Sequence, residues 1–85
     1  MKFSVYAIYN SEAKKVYIGQ TEELQRRLKE HNGELENPSK YTKRYPGKWV
    51  VIYSEECENR TEALRREKQL KSYQGRLFIR KHIPR

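Results

Sequence analysis

Two runs rich in aromatic and β-branched residues, Phe3 to Tyr9 and Lys15 to Gly19, flank the polar segment Asn10-Ser11-Glu12-Ala13-Lys14. This pattern reads as a β-hairpin with a five-residue loop, so the fold begins with two adjacent antiparallel strands that later segments must cover. If the pairing sets Tyr6 opposite Tyr17, both phenols stand on one sheet face. A one-residue slip separates them, and the sequence leaves the register open.

Eighty-five residues allow one domain, residues 1–85, because so short a chain buries only about two-thirds of the surface it exposes when unfolded. Mean hydropathy is low, at −1.15. Seven Tyr, two Phe and one Trp nevertheless supply packing surface that a disordered chain lacks. Thr21 is placed to cap a helix running to about Asn32, with Glu22 and Glu23 at its positive end and Gly33 as its stop. Leu24 and Leu28 form its buried side. Arg27 and His31 form a bordering stripe and project to a common point beside the sheet. Trp49 to Ser54 reads as a third strand, apolar enough to lie centrally or to be covered on both faces. Asn59 and Glu62 mark the start of a second helix reaching about Tyr73, with Gly75 as its stop. A last helix from Arg76 to about His82 buries Leu77, Phe78 and Ile83. The order β-β-α-β-α-α describes an α+β domain, a small three-stranded mainly antiparallel sheet flanked by helices.

The second helix carries an oddity. Ala63, Leu64, Glu67 and Leu70 project from one side at about 100° per residue, which sets a carboxylate within an apolar stripe. Desolvating it costs several kcal/mol unless a cation, a metal or a hydrogen-bond donor receives it. An ion pair with one of the arginines and a ligand role both satisfy that requirement.

Net charge is +8, distributed as +2 over residues 1–32, −1 over 33–59 and +7 over 60–85. A concentrated basic surface favours a polyanion, nucleic acid being the usual one. In the polar segment Glu34 to Pro46, Lys40, Tyr41, Lys43, Arg44 and Tyr45 interleave cations with rings, a mixture suited to phosphates and unstacked bases. Arg65, Lys68, Lys71 and Arg76 extend the basic surface. Cys57 is the single cysteine, which excludes an intrachain disulfide and a thiolate zinc cluster and fits a reducing cytoplasm. No stretch approaches the roughly 20 apolar residues of a membrane span, and the N-terminal run is too short and interrupted for a signal peptide.

Ser4-Val5-Tyr6, then Tyr17-Ile18-Gly19, then a helix bearing Arg27 and His31, and finally Thr61-Glu62-Ala63-Leu64-Arg65-Arg66-Glu67 follow one another along the chain. In these residues it resembles the GIY-YIG nuclease family over nearly its whole length. It is similar to the short stand-alone bacterial branch that looks like the N-terminal nuclease module of the excision-repair nuclease. The resemblance extends to the Thr-Lys-Arg-Tyr-Pro loop and the Glu-Ala-Leu-Arg-Arg-Glu-Lys-Gln-Leu run.

The resemblance implies hydrolysis of DNA phosphodiester bonds with one Mg²⁺ or Mn²⁺, in repair or in processing of branched or damaged DNA. Glu67 would ligate the ion, a hard cation that takes carboxylate oxygen and keeps several waters. Arg27 would stabilise charge on the phosphate. Tyr6 or Tyr17 would take a proton from the attacking water, its pKa brought down from about 10 by the metal and by cationic surroundings. His31 would orient that tyrosine or relay its proton. Two departures stand out: Ser4 replaces the glycine of the first motif, and no asparagine follows Asn59, where many members carry one. A catalytically weak nucleic-acid-binding module of the same fold is the alternative, and a basic protein-interaction domain is a third reading.

Overall fold

The computed structural model describes residues 2–32, 45 and 47–84. The strands β1 (Phe3–Asn10) and β2 (Lys15–Thr21) form the hairpin, with Tyr6 opposite Gly19 and Ile8 opposite Tyr17. The register therefore differs by two residues from a direct Tyr6–Tyr17 pairing. Side chains alternate with period two, so the two phenols still share a face. Asn10 pairs with Lys15, which leaves a four-residue loop instead of five. The Asn10 Oδ1 closes the turn by accepting the N–H groups of Glu12 and Ala13, each at 3.0 Å.

The helix α1 (Leu24–His31) starts later than Thr21, which still belongs to β2. Instead of capping the helix, the Thr21 hydroxyl accepts the Glu23 N–H at 3.1 Å and turns the chain from strand to helix. The expected stop, Gly33, lies outside the described residues.

The strand β3 (Trp49–Cys57) pairs with β1, giving the sheet order β2-β1-β3. The apolar Trp49–Tyr53 run is thus at an edge and not central, and Val50 is 39 % exposed. The central strand is β1, whose Val5, Tyr6, Ala7 and Ile8 are all fully buried because both faces are covered. A bulge opposite Ala7 and Ile8 interrupts the alternation of β3, and Ile52 and Tyr53 pack into the same cluster.

Beyond β3 come α2 (Arg60–Lys71) and α3 (Tyr73–Arg80). Asn59 caps α2, its side chain accepting the Glu62 N–H at 2.9 Å. The helix ends at Lys71, short of Tyr73. Ser72 caps α3 by accepting the Gly75 N–H at 3.2 Å, so Gly75 lies inside the last helix and does not stop the previous one. Ile79 is the residue α3 buries, whereas Leu77 and Phe78 are each 38 % exposed.

The described residues thus form an α+β fold in the order β-β-α-β-α-α. Helices α2 and α3 cover the Val5 and Ala7 face through Ala63, Leu70 and Ile79. Helix α1 covers the Tyr6 and Ile8 face through Leu24 and Leu28, beside Trp49. Among the described residues no helix is long and apolar enough to cross a membrane.

Candidate active site

On the α1 face of the sheet, four of the polar residues singled out in the sequence come together. Tyr6 projects from the central strand and Tyr17 from β2, their ring centroids 6.2 Å apart. His31, at the end of α1, lies 4.6 Å from the Tyr17 ring, and its Nε2 is 2.8 Å from the Tyr6 hydroxyl. One turn earlier, the Arg27 guanidinium interacts with both phenols. Gly19 makes room for this cluster. A Cβ there would stand 2.9 Å from the Tyr6 hydroxyl oxygen and 2.9 Å from Tyr17 Cε1.

Burial governs the charges. It raises the Tyr6 pKa above the ordinary 10.0 and Tyr17 pushes the same way, while the hydrogen bond and charge of Arg27 oppose them without prevailing. Tyr6 is therefore a neutral phenol at pH 7. His31 is lowered to about 4, chiefly because burial disfavours the imidazolium and also because Arg27 is near. The Tyr6 oxygen accepts from Arg27, which frees its one proton for Nε2 of the neutral imidazole. Burial works against the charge on Arg27, but bonds to Glu30, Tyr6 and Tyr17 outweigh it and keep the guanidinium charged. The Glu30 contact measures 2.6 Å.

Glu67 stands differently. Its helix covers the other sheet face, and its Oε2 accepts from Lys71 Nζ at 3.0 Å. The apolar stripe of α2 is narrower than the sequence suggests: Ala63 and Leu70 are buried, but Leu64 is 46 % exposed. Arg66 and Glu67 flank this stripe on opposite sides. Arg66 bonds Glu55 of β3, so Glu67 is turned toward β2, the strand of Tyr17. Its charge is felt at Tyr6, where it contributes to the raised pKa.

Of the basic residues picked out as nucleic-acid contacts, Lys71 and Arg76 line a cavity together with Tyr17. Arg65 and Lys68 are exposed on α2 and do not line it. Lys40, Tyr41, Lys43 and Arg44 lie outside the described residues. Sequence reasoning missed Glu30, although its spacing of three from Arg27 marks a helical ion pair. It also missed the packing role of Gly19, for which a glycine within a strand is the signal.

The pattern for the GIY-YIG catalytic domain matches residues 2–80. The chain belongs to the GIY-YIG family. Its fold is similar to the solution NMR structure of the UPF0213 protein BH0048 from Bacillus halodurans, with 26 % identity and a TM-score of 0.53. That match covers 93 % of this chain and 82 % of the other. No curated protein matches.

GIY-YIG domains are typically endonucleases acting on DNA, and they generally use a divalent metal. In this GIY-YIG chain no three or more His, Cys, Asp or Glu side chains converge among the described residues. Glu67 is a hard oxygen donor with its side chain 21 % exposed. One such carboxylate suits Mg²⁺ or Mn²⁺, whose shell is completed by water and phosphate oxygens, and not an ion that requires a protein cage.

Proposed function

We propose that residues 1–85 form one nuclease domain that hydrolyses DNA phosphodiester bonds with the help of Mg²⁺ or Mn²⁺. The observation that supports this most is the convergence of Tyr6, Tyr17, Arg27 and His31 over Gly19. Glu67 would hold the ion, which when bound polarises the phosphate and favours departure of the leaving oxygen. Arg27 offers a forked donor set to the phosphate oxygens as their charge grows. The role of base goes to Tyr17. Tyr6 is fully buried and held by His31, whereas Tyr17 is half-buried and reaches a cavity wall. Tyr6 and the neutral His31 then act as a fixed backing that orients Arg27 and the Tyr17 ring. A cytoplasmic role in repair or processing of branched or damaged DNA completes the reading.

The Lys71 ammonium already on Glu67 favours a second reading, in which the domain binds DNA without cutting it. Incubation with supercoiled plasmid and Mn²⁺, with EDTA as control, separates the two. Nicking by the wild type and its loss in Glu67→Ala, with unchanged DNA affinity, is the expected result. Because the Glu67–Lys71 pair is partly exposed, the substitution should cost less than about 1 kcal/mol of stability. Absence of nicking in the wild type, or full activity in Glu67→Ala, would overturn the assignment.

A further inference from the structure

A cavity of about 540 Å³ lies between the hairpin and the two C-terminal helices. Five cations line it: Lys14 and Lys15 from the hairpin, Lys71 from α2, and Arg76 and Arg80 from α3. Among the described residues no carboxylate does so, and Lys71 is paired with Glu67. The remaining wall is apolar, with the partly exposed Val16 and Ile83 lying over the buried Ile18 and Ile79. Tyr17 belongs both to this wall and to the cluster around His31, so the cavity adjoins the candidate active site.

Five like charges around one space repel each other, and an anion relieves that repulsion. A bare phosphate leaves the apolar wall without a purpose. The volume falls in the range of pockets that enclose a whole small molecule, roughly 300–1,000 Å³. A nucleotide matches both features, since its base is flat and poorly hydrated and its flanking phosphates are charged. In a duplex the base is stacked and paired, so only an unpaired or extruded nucleotide can present it to such a wall. Lys14 adds an independent sign. Its φ of 55° is the left-handed conformation that favours glycine or asparagine, yet a lysine occupies it, at the cavity wall.

We propose that this cavity seats one unstacked nucleotide of a DNA strand, with its base on Val16 and Ile83 and its flanking phosphates on the five cations. The preferred substrate is then DNA with unpaired nucleotides beside the point of cleavage. This rests on the DNA-cleaving reading above.

The test is fluorescence anisotropy in EDTA, which isolates binding from chemistry. The probes are a short oligothymidylate, the same backbone with every base replaced by an abasic site, a blunt duplex of equal length and a polyglutamate peptide. The oligothymidylate should bind at least about fivefold tighter than the abasic strand, the lower end of what one well-packed base contributes. It should also bind more tightly than the duplex or the peptide. Ile83→Ser should erase the difference between base and abasic strand. Lys14→Gly should weaken binding of both strands while raising the melting temperature, because glycine suits the backbone there. Equal affinity for the abasic strand would make the cavity a plain phosphate groove and overturn the proposal. Equal affinity for polyglutamate, or a Lys14→Gly protein that is more stable but binds as before, would do the same. Plasmid nicking that persists while these differences fail removes the subsite alone. Loss of nicking with the differences intact removes the cleavage reading and leaves the nucleotide site.

Discussion

His31 shows how far a residue's setting moves its chemistry. Free histidine titrates at 6.5, but this ring, 3 % exposed and beside Arg27, is lowered to about 4. Between those values the unfolded chain binds a proton that the folded protein refuses. The stability contributed by the neutral ring is therefore complete above pH 6.5 and is lost as pH falls toward 4, by up to about 3 kcal/mol. Urea unfolding at pH 7 and near pH 4 checks this. His31→Gln should lose less stability than the wild type over that interval, although it will start lower. Identical pH dependence in the two proteins would place the acid sensitivity in the carboxylates. The raised pKa of Tyr6 has the same origin, since a phenol on a strand covered on both faces has no water to solvate its anion.

The junction between α2 and α3 depends on a close approach that neither helix pattern specifies. A Cβ on Gly75 would stand 2.2 Å from the carbonyl oxygen of Gln69 and 2.4 Å from Leu70 Cα. Both are backbone atoms, so α3 as a whole would have to move. A glycine in an exposed helix usually gains about 1 kcal/mol on replacement by alanine, so the sign of the change is diagnostic. Gly75→Ala should lower stability here, by about 1–3 kcal/mol or more. Thermal melting reads it directly. A stabilised variant would mean that α3 does not sit so tightly on the end of α2. Since Arg76 and Arg80 ride on α3, the same change should also disturb the cavity wall.

At the scale of the whole molecule, the +7 charge of residues 60–85 is partly gathered at one side. Lys71, Arg76 and Arg80 meet Lys14 and Lys15, which are distant in sequence. Binding to a single strand through these five groups would release counterions and give a slope of log affinity against log salt of about −3.5. Titration of an oligonucleotide across a range of potassium chloride concentrations measures it. A slope near zero would favour the protein-interaction reading. Lys40, Lys43 and Arg44 would steepen it if they also reach the strand.

Local periodicity determined a good deal. The hairpin, the β-β-α-β-α-α order, the Asn59 cap and the alignment of Arg27 with His31 all follow from spacings within a few residues, and the structure contains them. The shared face of Tyr6 and Tyr17 was visible as a condition on register, and the tertiary pairing met it with a two-residue offset. Other features needed contacts between distant segments. β1 is the central strand although Trp49–Tyr53 is the more apolar run, because helices happen to cover both faces of β1. Leu64 lies outside the buried stripe and Glu67 at its border because the packing of α2 on the sheet decides which part of an apolar face is used. The rise at Tyr6, the fall at His31 and the five-cation cavity depend on burial and on distances across the fold. Those quantities arise only when segments far apart in the chain pack together.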